Sequence, residues 1–128
     1  MNGGGRLDIS IKYDNSKPMY EQIEDKIKEE IYLNHAEDNE ALPSVRQLSA
    51  NLNVSAITVK RAYSDLERDG FIYTISGKGT FVKLSNIDTL KKDRTDELEE
   101  SFKTLVGDMK KAGISHERIK EILRELED

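Results

Sequence analysis

Two short stretches of this chain put cations where they can meet a polyanion. The first is Ser55-Ala56-Ile57-Thr58-Val59-Lys60-Arg61, in which small and hydroxylated residues precede two basic ones. At a helix start, Ser55, Ala56 and Thr58 let the backbone come close to a base edge, and Lys60 and Arg61 supply charge beyond them. Helical neighbours point about 100° apart, so one of these two cations faces elsewhere. The second stretch is Ser76-Gly77-Lys78-Gly79, an ammonium between two glycines on a loop whose backbone can approach phosphate unobstructed. The chemistry these residues support is recognition of a nucleic acid, by backbone contact and base-edge contact together.

Other groupings carry no reaction. Gly77-Lys78-Gly79-Thr80 lacks the Gly-x4-Gly-Lys frame of a nucleotide-binding loop and sits between β-rich runs, not before a helix. His35 and His116 are far apart with no paired spacing, so no metal is expected. Cys is absent, which removes disulfides, thiolate metal sites and thiol nucleophiles together. The acidic runs at 37–40 and 97–100 read as solvated loop or helix face, and no Ser/His/Asp arrangement has supporting context. Neither an enzyme nor a cofactor is expected.

The elements that must position these residues are legible in the pattern. Ser44 and Gln47 form a capping box, so a short helix starts at Ser44 with Pro43 fixing the entry, and Val45, Leu48 and Leu52 mark its buried side. Asn53 stands where a tight turn needs a positive φ, and Val54 follows as a core plug. Ser55 caps a second helix over about 56–68, with Val59, Ala62, Tyr63 and Leu66 inward and Gly70 as its terminator. Tyr63 thus belongs to packing rather than to base stacking. Helix, turn and helix in this succession have the spacing of a helix-turn-helix. Runs 71–75 and 80–84 form a hairpin across the basic glycine turn, and three helices followed by a hairpin make a winged helix-turn-helix. The first helix is expected from Pro18 to Asn34, on the stripe Met19, Ile23, Ile27 and Ile31 with Tyr20 beside it, capped by Asn15 or Ser16. Before it, residues 7–13 alternate apolar and polar as a short strand, and residues 34–41 read as an acidic loop.

The composition frames this reading. The chain has 128 residues, 36% hydrophobic and 35% charged, with a net charge of −5. Residues 44–83 nevertheless carry +3, between acidic segments of −5 at 15–42 and −3 at 85–128. Local charge decides whether a patch meets a polyanion. No apolar run approaches the roughly 20 residues of a membrane span. Residues 1–6 hold three glycines and read as a tail without a secretory signal, so the expected compartment is the cytoplasm.

After a linker at 85–89 the rest reads as helical. Leu98, Phe102, Leu105, Val106 and Met109 share one face; Gly113 breaks it, Ser115 caps again, and Ile119, Ile122, Leu123 and Leu126 line a last short helix. A unit of about 40 residues cannot bury both stripes alone, so this tail is expected to pair with a second copy. The fold class is mainly α with a small β-hairpin: a winged helix-turn-helix at 7–84 and a two-helix dimerisation segment at 89–128.

At this point the chain resembles the GntR family of bacterial transcription regulators. The resemblance rests on Pro18-Met19-Tyr20-Glu21-Gln22-Ile23, Leu42-Pro43-Ser44-Val45-Arg46-Gln47-Leu48, Val54-Ser55-x-x-Thr58-Val59-x-Arg61-Ala62-Tyr63, Leu66-Glu67-x-x-Gly70 and Gly77-Lys78-Gly79-Thr80-Phe81-Val82. It covers about residues 17–83 in order. The Ala62-Tyr63 pair and the short helical tail resemble the YtrA-type subfamily, whose members are two-helix-tailed dimers that often repress ABC transporter operons.

The resemblance implies DNA contacts from Arg46, Ser55, Thr58, Lys60, Lys78 and Gly79, with Arg61 the alternative neighbour of Lys60. It also implies a homodimeric repressor on a palindromic operator, with no membrane partner; an effector is not indicated. Two departures stand out. Where many relatives carry Arg or Asn after the cap, this chain has Ala56 followed by Ile57, which reduces direct base readout there to methyl contact. The loop before Leu42 is Glu37-Asp38-Asn39-Glu40-Ala41, where the family usually has Gly and a basic residue. The competing reading is a winged-helix protein-interaction module that does not bind DNA; the acidic total favours it, and the +3 segment opposes it.

Overall fold

The structure, a computed structural model, describes residues 7–12 and 16–127. The expected tail at 1–6, Tyr13 of the expected strand and the proposed Asn15 cap lie outside them. The chain divides into two compact units, Met1–Asp88 and Thr89–Asp128.

In the first unit, α1 (Met19–Tyr32) forms on the four-residue isoleucine repeat, and Ile23, Ile27 and Ile31 are all but completely buried. Pro18 takes the cap position in place of Ser16: its carbonyl accepts the amides of Glu21 (3.1 Å) and Gln22 (3.2 Å). The helix stops at Tyr32, short of Asn34, because Asn34 turns left-handed at φ 63° and the His35 amide closes back on the Glu30 carbonyl at 2.8 Å. Then come α2 (Val45–Leu52) and α3 (Ala56–Arg68), followed by the antiparallel hairpin β1 (Ile72–Ile75) and β2 (Gly79–Val82). Both α1 and α2 pack on α3, and α3 packs on β1. The core therefore centres on α3, through Val59, Ala62, Tyr63 and Leu66. Val54, expected as a core plug, is only half-buried.

Two expectations change on the edges of the hairpin. Residues 7–12 form no strand. Leu7, Ile9 and Ile11 are half-buried, but the amides of Leu7, Asp8 and Ser10 meet carboxylates instead of a sheet. Glu40 Oε2 accepts from Leu7 N (3.2 Å), Glu30 Oε1 from Asp8 N (3.2 Å) and Asp8 Oδ1 from Ser10 N (3.0 Å).

The free edge of β2 is taken by the stretch expected to be an acidic loop. Asn39 N donates to the Val82 carbonyl (2.8 Å), Val82 N to Glu40 (2.9 Å) and Leu42 N to Thr80 (2.9 Å), with Ala41 bridging Phe81. Covering that edge removes a row of unpaired backbone groups from solvent. His35 belongs to this region too, with Nδ1 3.1 Å from Glu30 Oε2.

The linker expected at 85–89 is shorter than the pattern implied, because α4 (Ile87–Lys111) already begins at Ile87. Within the second unit, Gly113 (φ 87°) ends the α4 turn and Ser115 caps α5 (His116–Glu125) by accepting Arg118 N at 3.1 Å. No residue of α4 is buried, and Leu98, Phe102 and Leu105 are about half-exposed or more. On α5, Ile119 is buried, Ile122 half-buried and Leu123 exposed; Leu126, just past its end, is exposed as well.

Candidate nucleic-acid interface

The helix-turn-helix is built as its local chemistry requires. Ser44 Oγ accepts Gln47 N at 3.0 Å while Ser44 N donates to Gln47 Oε1 at 2.9 Å, closing the capping box that starts α2. Asn53 adopts φ 57°, ψ 47°, and Val54 N returns to the Ser49 carbonyl at 3.0 Å. Ser55 then caps α3. The two helices are pinned from behind by Tyr63, whose buried hydroxyl donates to the Pro43 carbonyl at 2.7 Å. Burial pushes the Tyr63 phenol well above its ordinary range, so it stays a donor.

The first turns of α1, α4 and α5 carry an acid, Glu21, Asp88 and Glu117, as the helix dipole favours. Those of α2 and α3 carry none. An acid there would repel a phosphate from the amides that these helix starts present.

The expected contact residues divide by how they are held. Arg46 on α2, Lys60 on α3 and Lys78 on the hairpin tip are exposed and have no carboxylate partner among the described residues. Arg61 is engaged: its guanidinium lies over the Tyr20 ring at 3.8 Å and its Nε is 4.0 Å from Asp65. Of the two neighbours, Lys60 is the one without a carboxylate partner among the described residues. Ser55 and Thr58 are joined to each other, Oγ to Oγ1 at 2.8 Å, with Ser55 Oγ also accepting Thr58 N at 3.2 Å. Their hydroxyls first serve the cap.

The wing is a three-residue connection across the pair Ile75 and Gly79. Lys78 N donates to the Ile75 carbonyl at 2.9 Å, which needs the positive φ of Gly77 (79°); Gly79 follows at φ 129°. Thr74 anchors the wing to the end of α3, donating from N (3.3 Å) and Oγ1 (3.0 Å) to the two oxygens of Glu67. The pattern gave no signal for that tether, because neither Thr74 nor Glu67 is placed by periodicity.

A second arrangement escaped sequence reasoning: Glu24 of α1 meets Asp65 of α3. Glu24 is buried, and its Oε2 faces no donor among the described residues. Burial, then the Asp65 carboxylate beside it, pushes the Glu24 carboxyl up to about 7. Asp65 is held below its ordinary range by the hydrogen bond from Glu24, aided by Arg68 and Arg61. A proton shared between the two carboxyls accounts for both directions. The dimerisation residues expected at Leu98, Phe102, Leu105, Val106, Met109, Ile119, Ile122 and Leu123 all belong to the second unit. No helix among the described residues is long and apolar enough to cross a membrane.

Known proteins share this architecture. The model of the bacterial regulatory proteins, gntR family, matches residues 19–82. The chain is 34% identical over 118 residues to the HTH-type transcriptional repressor YtrA of Bacillus subtilis, covering 92% of this chain and 91% of that one. A solved GntR family transcriptional regulator from Listeria monocytogenes superposes with a TM-score of 0.74 at 36% identity, over 90% of this chain and all of that one. The DNA-binding domain of AraR, solved in complex with operator ORE1, superposes with a TM-score of 0.50 at 27% identity, over 57% of this chain and 92% of that one.

Proposed function

This chain belongs to the gntR family of bacterial regulatory proteins, and on that premise we propose that it is a homodimeric repressor of a palindromic operator. It is a DNA-binding transcriptional regulator, in a family of regulators and not of enzymes. In the proposed complex α3 enters the major groove, α2 spans the backbone and the wing reaches an adjacent phosphate. Residues 7–84 bind DNA. Arg46, Lys60 and Lys78 supply charge, Ser55, Thr58 and Gly79 allow close approach, and Arg61 flanks the contact from its stack on Tyr20.

The carrying observation is that Arg46, Lys60 and Lys78, on three successive elements of one unit, are exposed cations without carboxylate partners. A cation already paired with a carboxylate gains less from phosphate, because the old partner must be released. The family membership and these cations together favour DNA over the protein-interaction reading. Residues 89–128 pair two copies through Leu98, Phe102, Leu105, Val106, Met109, Ile122 and Leu123, whereas Ile119, expected among them, is already buried in the single chain. Half-exposed apolar stripes on α4 and α5 support that role. The named repressor YtrA, similar over nearly its whole length, supports repression; an ABC transporter operon is the target class proposed, in the cytoplasm.

The test is a titration of the full chain on the DNA upstream of its own gene, read by fluorescence anisotropy at several salt concentrations. Arg46→Ala and Lys60→Ala are each expected to cost about 1–3 kcal/mol where they touch a base edge, and to weaken all sequences alike where they touch phosphate. Wild-type binding by the double variant, folded by circular dichroism, would overturn the assignment.

A further inference from the structure

Ile57 is 79% exposed, more than any other large apolar side chain among the described residues. It is the second residue of α3, between the hydroxyl pair of Ser55 and Thr58. Helical geometry places it almost opposite the buried stripe of Val59, Ala62, Tyr63 and Leu66, at about 100° per residue. The outward face that it heads continues with Lys60 and Ser64, at i+3 and i+7, while Arg61, at i+4, turns its guanidinium onto Tyr20. This face combines an apolar tip with a free ammonium at Lys60. Directly before Ile57, Ala56 adds only a methyl group, so no long side chain screens the tip from a groove floor.

We propose that Ile57 is a specificity-determining residue of this chain, reading the C5-methyl group of a thymine in the major groove of each half-site. The inference rests on the DNA-binding reading above. In the major groove the thymine methyl is the one apolar mark among donors and acceptors, and an aliphatic side chain is its natural complement. An isoleucine has no group to answer a base-edge donor or acceptor, so a G·C pair facing it would lose water from polar edges without replacement. The β-branch helps as well, because χ1 is restricted in a helix and little rotamer freedom is lost on contact. The hydroxyls of Ser55 and Thr58 bond to each other in the cap, so Ile57 is the side chain of the first turn of α3 that carries an apolar readout.

The experiment removes the methyl from the DNA rather than the protein. Duplexes are selected from a randomised pool with the full chain, and each thymine of the selected site is replaced in turn by deoxyuracil. At one position per half-site the wild type is expected to lose about threefold in affinity, and about tenfold with both half-sites changed, the scale of one apolar carbon taken from contact. Ile57→Ala, whose melting temperature is expected to match wild type because the side chain is exposed, should bind thymine and uracil there equally. It should keep the wild-type response at every other thymine. A bound duplex whose uracil losses are the same in both proteins, or a selected site without a thymine common to its half-sites, overturns this inference alone. A pool yielding no bound duplex overturns the DNA-binding reading and the inference together.

Discussion

Glu24 sets a pH dependence that it shares with Asp65. Facing it are Asp65 and Arg68 on α3 and Asp25 and Lys28 on α1, and Arg61 faces Asp65. Folding raises the Glu24 carboxyl from its ordinary 4.5 to about 7, so the folded chain binds the proton more tightly. The stability it contributes is complete below about pH 4.5, declines as pH rises, and is gone above about pH 7. Glu24→Gln keeps a neutral donor facing Asp65 at every pH. It should be more stable than wild type by up to about 3 kcal/mol at pH 8 and by less than about 1 kcal/mol at pH 5. Urea melts at the two pH values measure this, and an equal difference at both would remove the shared proton from the account. At the wing, Lys78→Ala should flatten the dependence of log affinity on log salt by about one unit, since one fewer counterion is released. A slope identical to wild type would take Lys78 off the phosphate.

The elements of the DNA-binding unit act through their joints. Tyr63 holds α3 to the entry of α2 by one half-buried hydrogen bond to Pro43. Tyr63→Phe preserves the ring and its packing but leaves the Pro43 carbonyl without that donor. A loss of about 1 kcal/mol in stability is expected, and operator affinity should fall further than stability does, because the angle between the two helices sets how Arg46 and Lys60 meet the groove together. Thermal melts beside anisotropy titrations separate the two effects. Affinity unchanged in a destabilised variant would show that α2 and α3 keep their geometry without the tether. The wing has its own joint in Thr74 and Glu67, which gives Lys78 a base fixed to the recognition helix.

For the whole molecule the central question is the tail. Phe102 is 49% exposed in the single chain, so Phe102→Asp should cost the isolated protomer little. In a dimer that buries this stripe the same change places an unpaired charge among apolar groups, which is strongly unfavourable. Sedimentation should then find wild-type dimers and variant monomers at micromolar concentration. Binding to a full palindrome should drop steeply while binding to a half-site changes little, because the second contact loses its intramolecular advantage. A wild-type monomer, or a variant that stays dimeric, would assign the stripe another role.

What the sequence determined by itself was whatever rests on near neighbours. The Ser44–Gln47 box, the left-handed Asn53, the Ser55 and Ser115 caps and the glycine hairpin tip all join residues at most three or four apart. The winged helix-turn-helix follows from their order, and so do the buried faces of α1 and α3, since 3.6-residue periodicity reports which side is dry. Tertiary structure decided every pairing between distant residues. Period two in 7–13 predicted a strand, but residues 7–12 form none: the pattern could not say that amides there would find Glu30 and Glu40, or that residues 39–42 would occupy the sheet edge instead. Family position favoured Lys60 over Arg61, but only the folded chain placed the Arg61 guanidinium on Tyr20, forty-one positions away. The same holds for Glu24 with Asp65 and for Tyr63 with Pro43. Local patterns carry the conformational preferences of short segments, whereas a buried polar group takes whichever partner the packed chain brings within reach.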